Sequence, residues 1–293
     1  MHALLGATGL VGGQVAAELR RRGLPVRALV RDTSRARDLE ERGCELAVAD
    51  IDDVETLVKA WTDVDSAFVM LPTYYDSADV LATYDQQIAK IVRALEIARP
   101  PRVVALSAEG SELPEGTGLI LTTRAFEVAL RATGLPVTVV RCPLFMENFR
   151  YALHPAREHG VVPSFLVPLD RQHRMVSAVD VGAAIADALT DPPDAPRTRF
   201  ISAPREYTPN NIAEVLATLL NRPVTAVEVP REEWHDQMTG ISGCSPDAAR
   251  LLTDMYDSFN AGRLGVEPGA GPILTGPTTL EEALATVVQH PDH

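Results

Sequence analysis

Along the first 142 residues, short apolar runs alternate with longer stretches whose apolar positions recur every three or four residues. The runs HALLG (2–6), PVRALV (25–30), CELAVA (44–49), SAFVML (66–71), RVVALS (102–107) and PVTVVR (136–141), with RFIS (199–202) further on, are short and mostly continuous. Continuous rather than alternating runs predict parallel strands covered on both faces. Between them the spacing predicts helices near 11–22, 33–42, 53–62, 79–98 and 122–133; in the fourth, Leu81, Ile88, Ile91, Val92 and Leu95 form one buried stripe. Strand–helix–strand alternation gives βαβ units with right-handed crossovers, hence an α/β chain with a doubly wound parallel sheet.

After Arg141 the rhythm breaks. Residues 143–175 hold Pro143, Pro155, Pro163 and Pro168 and little clear strand. A helix near 179–190 and the strand at 199–202 return to the sheet. The remainder reads as helices at 209–220, 246–261 and 278–288, cut by loops, the longest being GVEPGAGPILTGP (265–277). The expectation is a dinucleotide-binding-sized domain of 1–142 and 176–202, with a smaller, mainly helical C-terminal lobe of 143–175 and 203–293. That lobe would sit on the sheet's C-terminal edge, where such sheets bind ligands.

Composition narrows the choice of chemistry. With 293 residues, 46% hydrophobic and 23% charged, the chain reads as an ordinary globular protein. Its formal net charge of -13 argues against nucleic acid as a partner, since phosphate backbones are held by Lys and Arg. No apolar run reaches the roughly 20 residues of a membrane span. Met1–Leu5 runs straight into a glycine turn with no basic leader, so a cytoplasmic location is expected. Cys44, Cys142 and Cys244 lie far apart, without metal-ligand spacing, and are expected to be reduced thiols with no metal.

The glycine turn itself, GATGLVGG at 6–13, stands between the first strand and the first helix. Gly6 permits the tight turn, Gly9 lets backbone approach a pyrophosphate, and Gly12 lets helix and strand pack closely, while the helix N-terminus offers free N–H groups to an anion. A dinucleotide that keeps its ribose 2′-OH usually meets Asp or Glu at the end of the second strand. Here that strand ends LVRDTSRAR, placing Arg31, Ser34 and Arg35 in the region. A guanidinium suits a 2′-phosphate, so the expected cofactor is NADP(H). Asp32 and Thr33 are alternative caps for the following helix.

These pieces together resemble the atypical short-chain dehydrogenase/reductase superfamily and, more narrowly, its NmrA-like NAD(P)H-binding group. The matching segments are GATGLVGG at 6–13, VRD at 30–32, ADI at 49–51, MLP at 70–72, LSAEG at 106–110, Glu127, RCPLFMEN at 141–148 and VSAVDVG at 176–182, thinning after about residue 205. The resemblance implies a Rossmann-type sheet on which Gly6, Thr8, Gly9, Leu10, Val11 and Gly12 line the pyrophosphate and Arg31, Ser34 and Arg35 meet the 2′-phosphate. It further implies that Asp50 and Ile51 border the adenine and that Leu71, Pro72 and Thr73 run beside the ribose. Ser107 would approach the nicotinamide, and Pro143, Phe145 and Asn148 would wall the nicotinamide and substrate pocket. Asp180 is expected to cap the helix after VSAV.

One departure bears on chemistry. Ordinary short-chain dehydrogenases use a Tyr-x-x-x-Lys pair, which this chain lacks, and many NmrA-like relatives keep a lysine four residues before the glutamate. Here Thr123 holds that place; Arg124 is adjacent but turned about 100° away on a helix. The candidate catalytic residues are therefore Tyr74, Tyr75, Ser107 and Thr123, with Tyr74, Phe145 and Asn148 as substrate contacts. His154, His159 and His173 lie in the irregular region and read more readily as surface or satisfied histidines than as proton donors. Trp234 and His235 are candidates for a C-terminal lid. The leading expectation is an NADPH-dependent reductase of a small, largely apolar electrophile such as a quinone, enone, carbonyl or imine. The alternatives are a non-catalytic NADP(H)-sensing regulator, or a non-reductive cyclase or isomerase. A homodimer is left open.

Overall fold

The structure, a computed structural model, describes residues 1–266 and 269–290. Its first part runs β1 (His2–Leu5), α1 (Leu10–Arg21), β2 (Val26–Val30), a 3-10 turn (Thr33–Arg35), α2 (Arg37–Glu41), β3 (Glu45–Val48), α3 (Val54–Trp61), β4 (Ser66–Val69), α4 (Val80–Ala98), β5 (Val103–Ala108), α5 (Ile120–Ala132) and β6 (Val137–Cys142). There follow β7 (Leu144–Phe145), a 3-10 segment (Met146–Ala152), α6 (Leu153–His159), β8 (Val161–Ser164), β9 (Met175–Val176), α7 (Ala178–Thr190), β10 (Thr198–Ser202), α8 (Pro209–Leu220), β11 (Thr225–Glu228), α9 (Trp234–Ser242), α10 (Pro246–Asn260), β12 (Ile273–Thr275) and α11 (Leu280–Gln289).

Eight strands form one parallel sheet in the order β12-β10-β6-β5-β4-β1-β2-β3. Strand alternation divides its side chains between two layers. Leu4, Ala28, Phe68, Val104 and Val140 face α1 and α7, packing with Val15, Leu19, Val181 and Ile185. Ala3, Leu5, Val69, Val103 and Val139 face the other way, against Leu57 and Trp61 of α3, Ile91 and Leu95 of α4, and Phe126 and Leu130 of α5. Helices α1 and α7 approach so closely that a Cβ at Gly182 would lie 2.5 Å from Gln14 Cβ. Because β1 is flanked by β2 on one side and β4 on the other, the strand order reverses there, opening a crevice at the C-terminal ends of these strands.

A third core outside the sheet joins Met146, Phe149, Tyr207, Ile212, Leu216, Leu280 and Leu284. Here lie two small parallel pairs, β7 with β9 and β8 with β11. Segment 143–175, expected to hold little strand, thus contributes three short ones, each too brief for a periodic signal. Segment 265–277, expected as loop, contains β12, which adds to the sheet edge through Phe200↔Ile273 and Ser202↔Thr275; residues 267–268 of that segment lie outside the described residues. The helix expected over 33–42 is broken at Ala36, whose φ of -127° leaves the helical region. Of the two C-terminal candidates, Trp234 is buried edge-to-face on Phe165 at 5.8 Å and donates Nε1–H to the Val229 carbonyl at 2.8 Å, while His235 is exposed.

Helix starts are set by local caps. Asp53 accepts from the N–H groups of Glu55 and Thr56 at α3, and Thr208 with Asn211 forms a reciprocal capping box at α8; such caps each contribute about 1 kcal/mol. Among the described residues no helix is long and apolar enough to cross a membrane.

Candidate functional site

The crevice begins at the glycine turn. Gly6 has φ +79°, which strains any residue with a side chain. A Cβ at Gly12 would lie 2.1 Å from the Gly6 carbonyl oxygen, so only glycine lets α1 start this near β1. The α1 N-terminus has Gly9 as its cap, no side-chain acceptor and no acidic residue in its first turn. Its N–H groups and positive end are therefore open to an anion. Thr8, Gly9 and Leu10 line a groove of about 720 Å³ there, together with Glu147, Arg150 and the α7 start. Val11 is buried and offers only backbone.

Beyond the end of β2, Thr8, Val30, Arg31, Asp32 and Arg35 line a second pocket of about 550 Å³. Both arginines are exposed, and neither is in an ion pair among the described residues. Asp32 turns one oxygen to the Ser34 N–H at 2.9 Å, capping the 3-10 turn, and the Ser34 hydroxyl, followed by this N–H, holds its carboxyl below the usual range. Ser34 supplies this backbone contact and is not among the lining residues. Two unpaired guanidiniums beside an uncapped helix start fit a dinucleotide with an extra phosphate on its adenosine ribose. Of the adenine candidates, Asp50 is exposed and accepts from the Asp52 N–H at 2.9 Å, whereas Ile51 is buried in the second core layer.

Past the ends of β4, β5 and β6 the crevice deepens into a largely apolar chamber of about 240 Å³. Leu71 and Thr73 lie on its wall with Tyr75, Ser107, Thr123, Pro143, Phe145 and Asn148; Pro72 and Tyr74 do not. Tyr74 packs edge-to-face on Tyr84 at 5.4 Å, and it is Tyr84 that reaches the chamber. Burial pushes the Tyr75 phenol above its ordinary range.

A buried network anchors the chamber floor. Ser107 donates to Glu127 Oε1 at 2.5 Å. Arg141 donates Nε–H and Nη2–H to the two Glu127 oxygens, each at 2.8 Å, and Nη1–H to Glu112 at 2.7 Å. Thr123 donates to the Ile120 carbonyl at 2.8 Å and shares a 2.7 Å contact with Ser111. The sequence signal for this network was the lone arginine inside the apolar run PVTVVR: a buried guanidinium requires carboxylate partners, and Glu127 sits on the helix just before it. Glu112 and Ser111 carried no such signal.

Glu109 stands inside the LSAEG segment at 106–110 but carried no candidate role. It is 6% exposed, lines the chamber, and accepts from Arg174 Nη2 at 2.9 Å. Burial pushes its carboxyl above the ordinary glutamate range, against the pull of Arg174. Glu109 also lines a separate polar cleft of about 110 Å³ with Arg171, Gln172, His173, Arg174 and Glu206. His173 is buried there with Nε2 unpartnered, while His154 and His159 are exposed on α6.

Asp180 does not cap α7. Ser177 does, accepting from the Val179 N–H at 3.3 Å, and Glu147 accepts from Ser177 Oγ and the Ala178 N–H. Asp180, in the first turn, accepts instead from the N–H and hydroxyl of Thr278 at 3.0 and 2.8 Å. It clasps the segment after β12, close enough that a Cβ at Gly276 would meet its Oδ2 at 2.2 Å.

Comparison with known proteins gives the arrangement a context. A family described as NAD(P)H-binding matches residues 6–192, and the NmrA-like family matches residues 122–282. An NAD(P)H azoreductase from Xenophilus azovorans is 28% identical over 259 residues, 87% of this chain and 86% of the relative. A (4-alkanoyl-5-oxo-2,5-dihydrofuran-3-yl)methyl phosphate reductase from Streptomyces griseus is 30% identical over 232 residues, 78% and 77% of the two chains. The crystal structure of Citrobacter sp. triphenylmethane reductase complexed with NADP(H) superimposes with a TM-score of 0.81 at 22% identity, covering 98% of this chain and 100% of that one.

Proposed function

The chain belongs to the NAD(P)H-binding, NmrA-like family, and from that premise we propose that it is an NADP(H)-dependent reductase of a small, largely apolar electrophile: a quinone, enone, carbonyl, imine or azo compound. One observation supports this above the rest. The uncapped start of α1, the unpaired Arg31 and Arg35, and the apolar chamber lie along one crevice at the strand ends. A phosphate-bearing cofactor held at the first two would direct its far end toward the third. Named relatives with reductase activity point the same way.

The nicotinamide, when bound, supplies hydride chemistry. The chain's own residues do the rest. The N–H groups opening α1 hold the pyrophosphate, with Gly6, Thr8, Gly9, Leu10, Val11 and Gly12 forming the cradle. Arg31 and Arg35 hold the 2′-phosphate, and Ser34 sets the turn that carries them. Asp50, Ile51, Leu71, Pro72 and Thr73 border the nucleoside. Leu71, Phe145 and Phe259 exclude water, so that an apolar acceptor outcompetes solvent for the reacting face. Tyr75, Ser107, Thr123 and Asn148 orient the acceptor, with Pro143 closing the wall; Tyr74 acts behind Tyr84. Segments 1–142 with 176–202 then carry the cofactor and one wall of the substrate chamber, and 143–175 with 203–293, β12 excepted, supply its other wall. A sensor without turnover is the second reading, favoured by Thr123, which stands at the lysine position with its proton committed to Ile120.

The test follows NADPH absorbance with purified protein and a panel of these electrophiles, with products checked by mass. Arg31→Ala is expected to weaken NADPH about 10- to 100-fold, the range for one charged hydrogen-bonding group, and to leave NADH within about twofold. Equal losses for both cofactors would refute the 2′-phosphate assignment.

A further inference from the structure

A hydride acceptor other than a cation also needs a proton, and four of the chamber's hydroxyls are poorly placed to give one. Ser107 directs its proton to Glu127 and Thr123 directs its own to the Ile120 carbonyl. Burial holds the Tyr75 and Tyr84 phenols above their ordinary range. Among the described residues lining the chamber, Glu109 is the sole carboxylic acid. Its backbone is fixed by its N–H donating to the Cys142 carbonyl at 2.8 Å, at the ends of β5 and β6. Only Oε1 is used by the pair with Arg174. Glu109, Pro143 and Phe259 line both the apolar chamber and the polar cleft behind it. An acid on such a partition can deliver a proton on the dry side and be reloaded from the wet one.

We propose that Glu109 is the proton donor to the reduced substrate, recharged through the polar cleft lined by Arg171, Gln172, His173, Arg174 and Glu206. This rests on the reductase reading above. For an azo acceptor the balance is direct. Hydride adds to one nitrogen, the N=N π pair moves to the other, and that nitrogen takes the Glu109 proton to give the hydrazo product. The Glu109 carboxylate then takes a proton from water in the cleft. The charged and titratable groups facing it set its readiness. Arg174, from the segment before β9, favours the carboxylate; Glu112 after β5 and Glu206 after β10 favour the acid; the Cys142 thiol on β6 and His173 stand beside the same partition.

Two dyes separate this role from binding or folding. A neutral azo dye needs hydride and a proton; a triarylmethyl dye cation needs hydride alone. Glu109→Gln keeps the shape and an oxygen for Arg174. It is expected to lower azo turnover about 100-fold or more, the scale of general acid catalysis. Turnover of the dye cation at saturation and the NADPH dissociation constant should stay within about twofold. Wild-type azo turnover should fall as pH rises through the Glu109 titration, and turnover of the cation should not follow it. Independently of turnover, the carboxyl 13C resonance of Glu109 in the protein without substrate should titrate above the ordinary glutamate range. If Glu109→Gln folds poorly, Arg174→Gln should shift both the resonance titration and the azo pH limb to higher pH. Equal loss on both dyes, no loss on either, or an ordinary titration overturns the proton role alone. Wild-type protein that reduces neither dye, nor any electrophile of the panel above, overturns the reductase reading and the proton role with it.

Discussion

Removing the Glu127 carboxylate should be felt in both stability and the chamber. Glu127 is 2% exposed and takes two Arg141 bonds at 2.8 Å, the Ser107 hydroxyl at 2.5 Å and Arg131 at 3.0 Å. Arg141 is itself 6% exposed. Deleting one partner of a buried pair leaves the other charge poorly solvated, at a cost of about 3–5 kcal/mol. Glu112 still reaches Arg141 at 2.7 Å from a partly exposed position, so Glu127→Ala should fall at the lower end, about 3 kcal/mol. With a urea slope of about 3 kcal/mol per molar, that moves the unfolding midpoint down by about 1 M. The double variant Glu127→Leu with Arg141→Met removes both charges and should recover most of the loss, because apolar residues of similar volume replace buried pairs with little penalty. The assay is urea unfolding of the wild type and Glu127→Ala, with Glu127→Leu, Arg141→Met and their double closing a thermodynamic cycle. A single-variant loss under about 1 kcal/mol, or a double variant no more stable than the summed singles, would refute the reasoning.

Two other substitutions test backbone and titration. Gly12→Ala would place Cβ 2.1 Å from the Gly6 oxygen and 2.6 Å from its carbonyl carbon. The turn must shift by about 1 Å, so a loss of roughly 1–3 kcal/mol in stability is expected, with NADPH binding, followed by fluorescence, weakened by at least about tenfold. The buried imidazole of His173 is held down to about 4 from 6.5. Its contribution is therefore intact above pH about 6.5 and lost as pH falls toward 4, up to about 3 kcal/mol. Thermal unfolding of His173→Phe should show a flatter slope across that window.

The sheet was legible because each of its strands up to β10 is an apolar run long enough to stand out between helical stretches. β12 was not: three residues, ILT, stand between Gly271–Pro272 and Gly276–Pro277, and it becomes a strand only through pairing with β10. β7 and β9, two residues each, likewise exist only through each other. The glycine turn was readable because close backbone approach admits a single residue type. Asp180 misled because an acid near a helix start usually caps it, and only the fold brings Thr278 within reach. Glu109, within the LSAEG segment, had its role hidden for a similar reason. In sequence it is one acid among 40 Asp and Glu residues, and its burial depends on Arg174, 65 positions away.

The late pairing of β12 also matters during synthesis. Its partner β10 is made first, and the paired residues Phe200 and Ile273 are separated by 73 positions. At 5–20 residues per second, the outer edge of β10 waits roughly 4–15 s for its neighbour. Throughout that interval a nascent chain presents an unpaired strand edge, the kind of surface that recruits other strands. Aggregation of this protein should therefore depend on translation speed through the last third of the message, and slow codons between β10 and β12 should lower its soluble yield more than slow codons placed earlier.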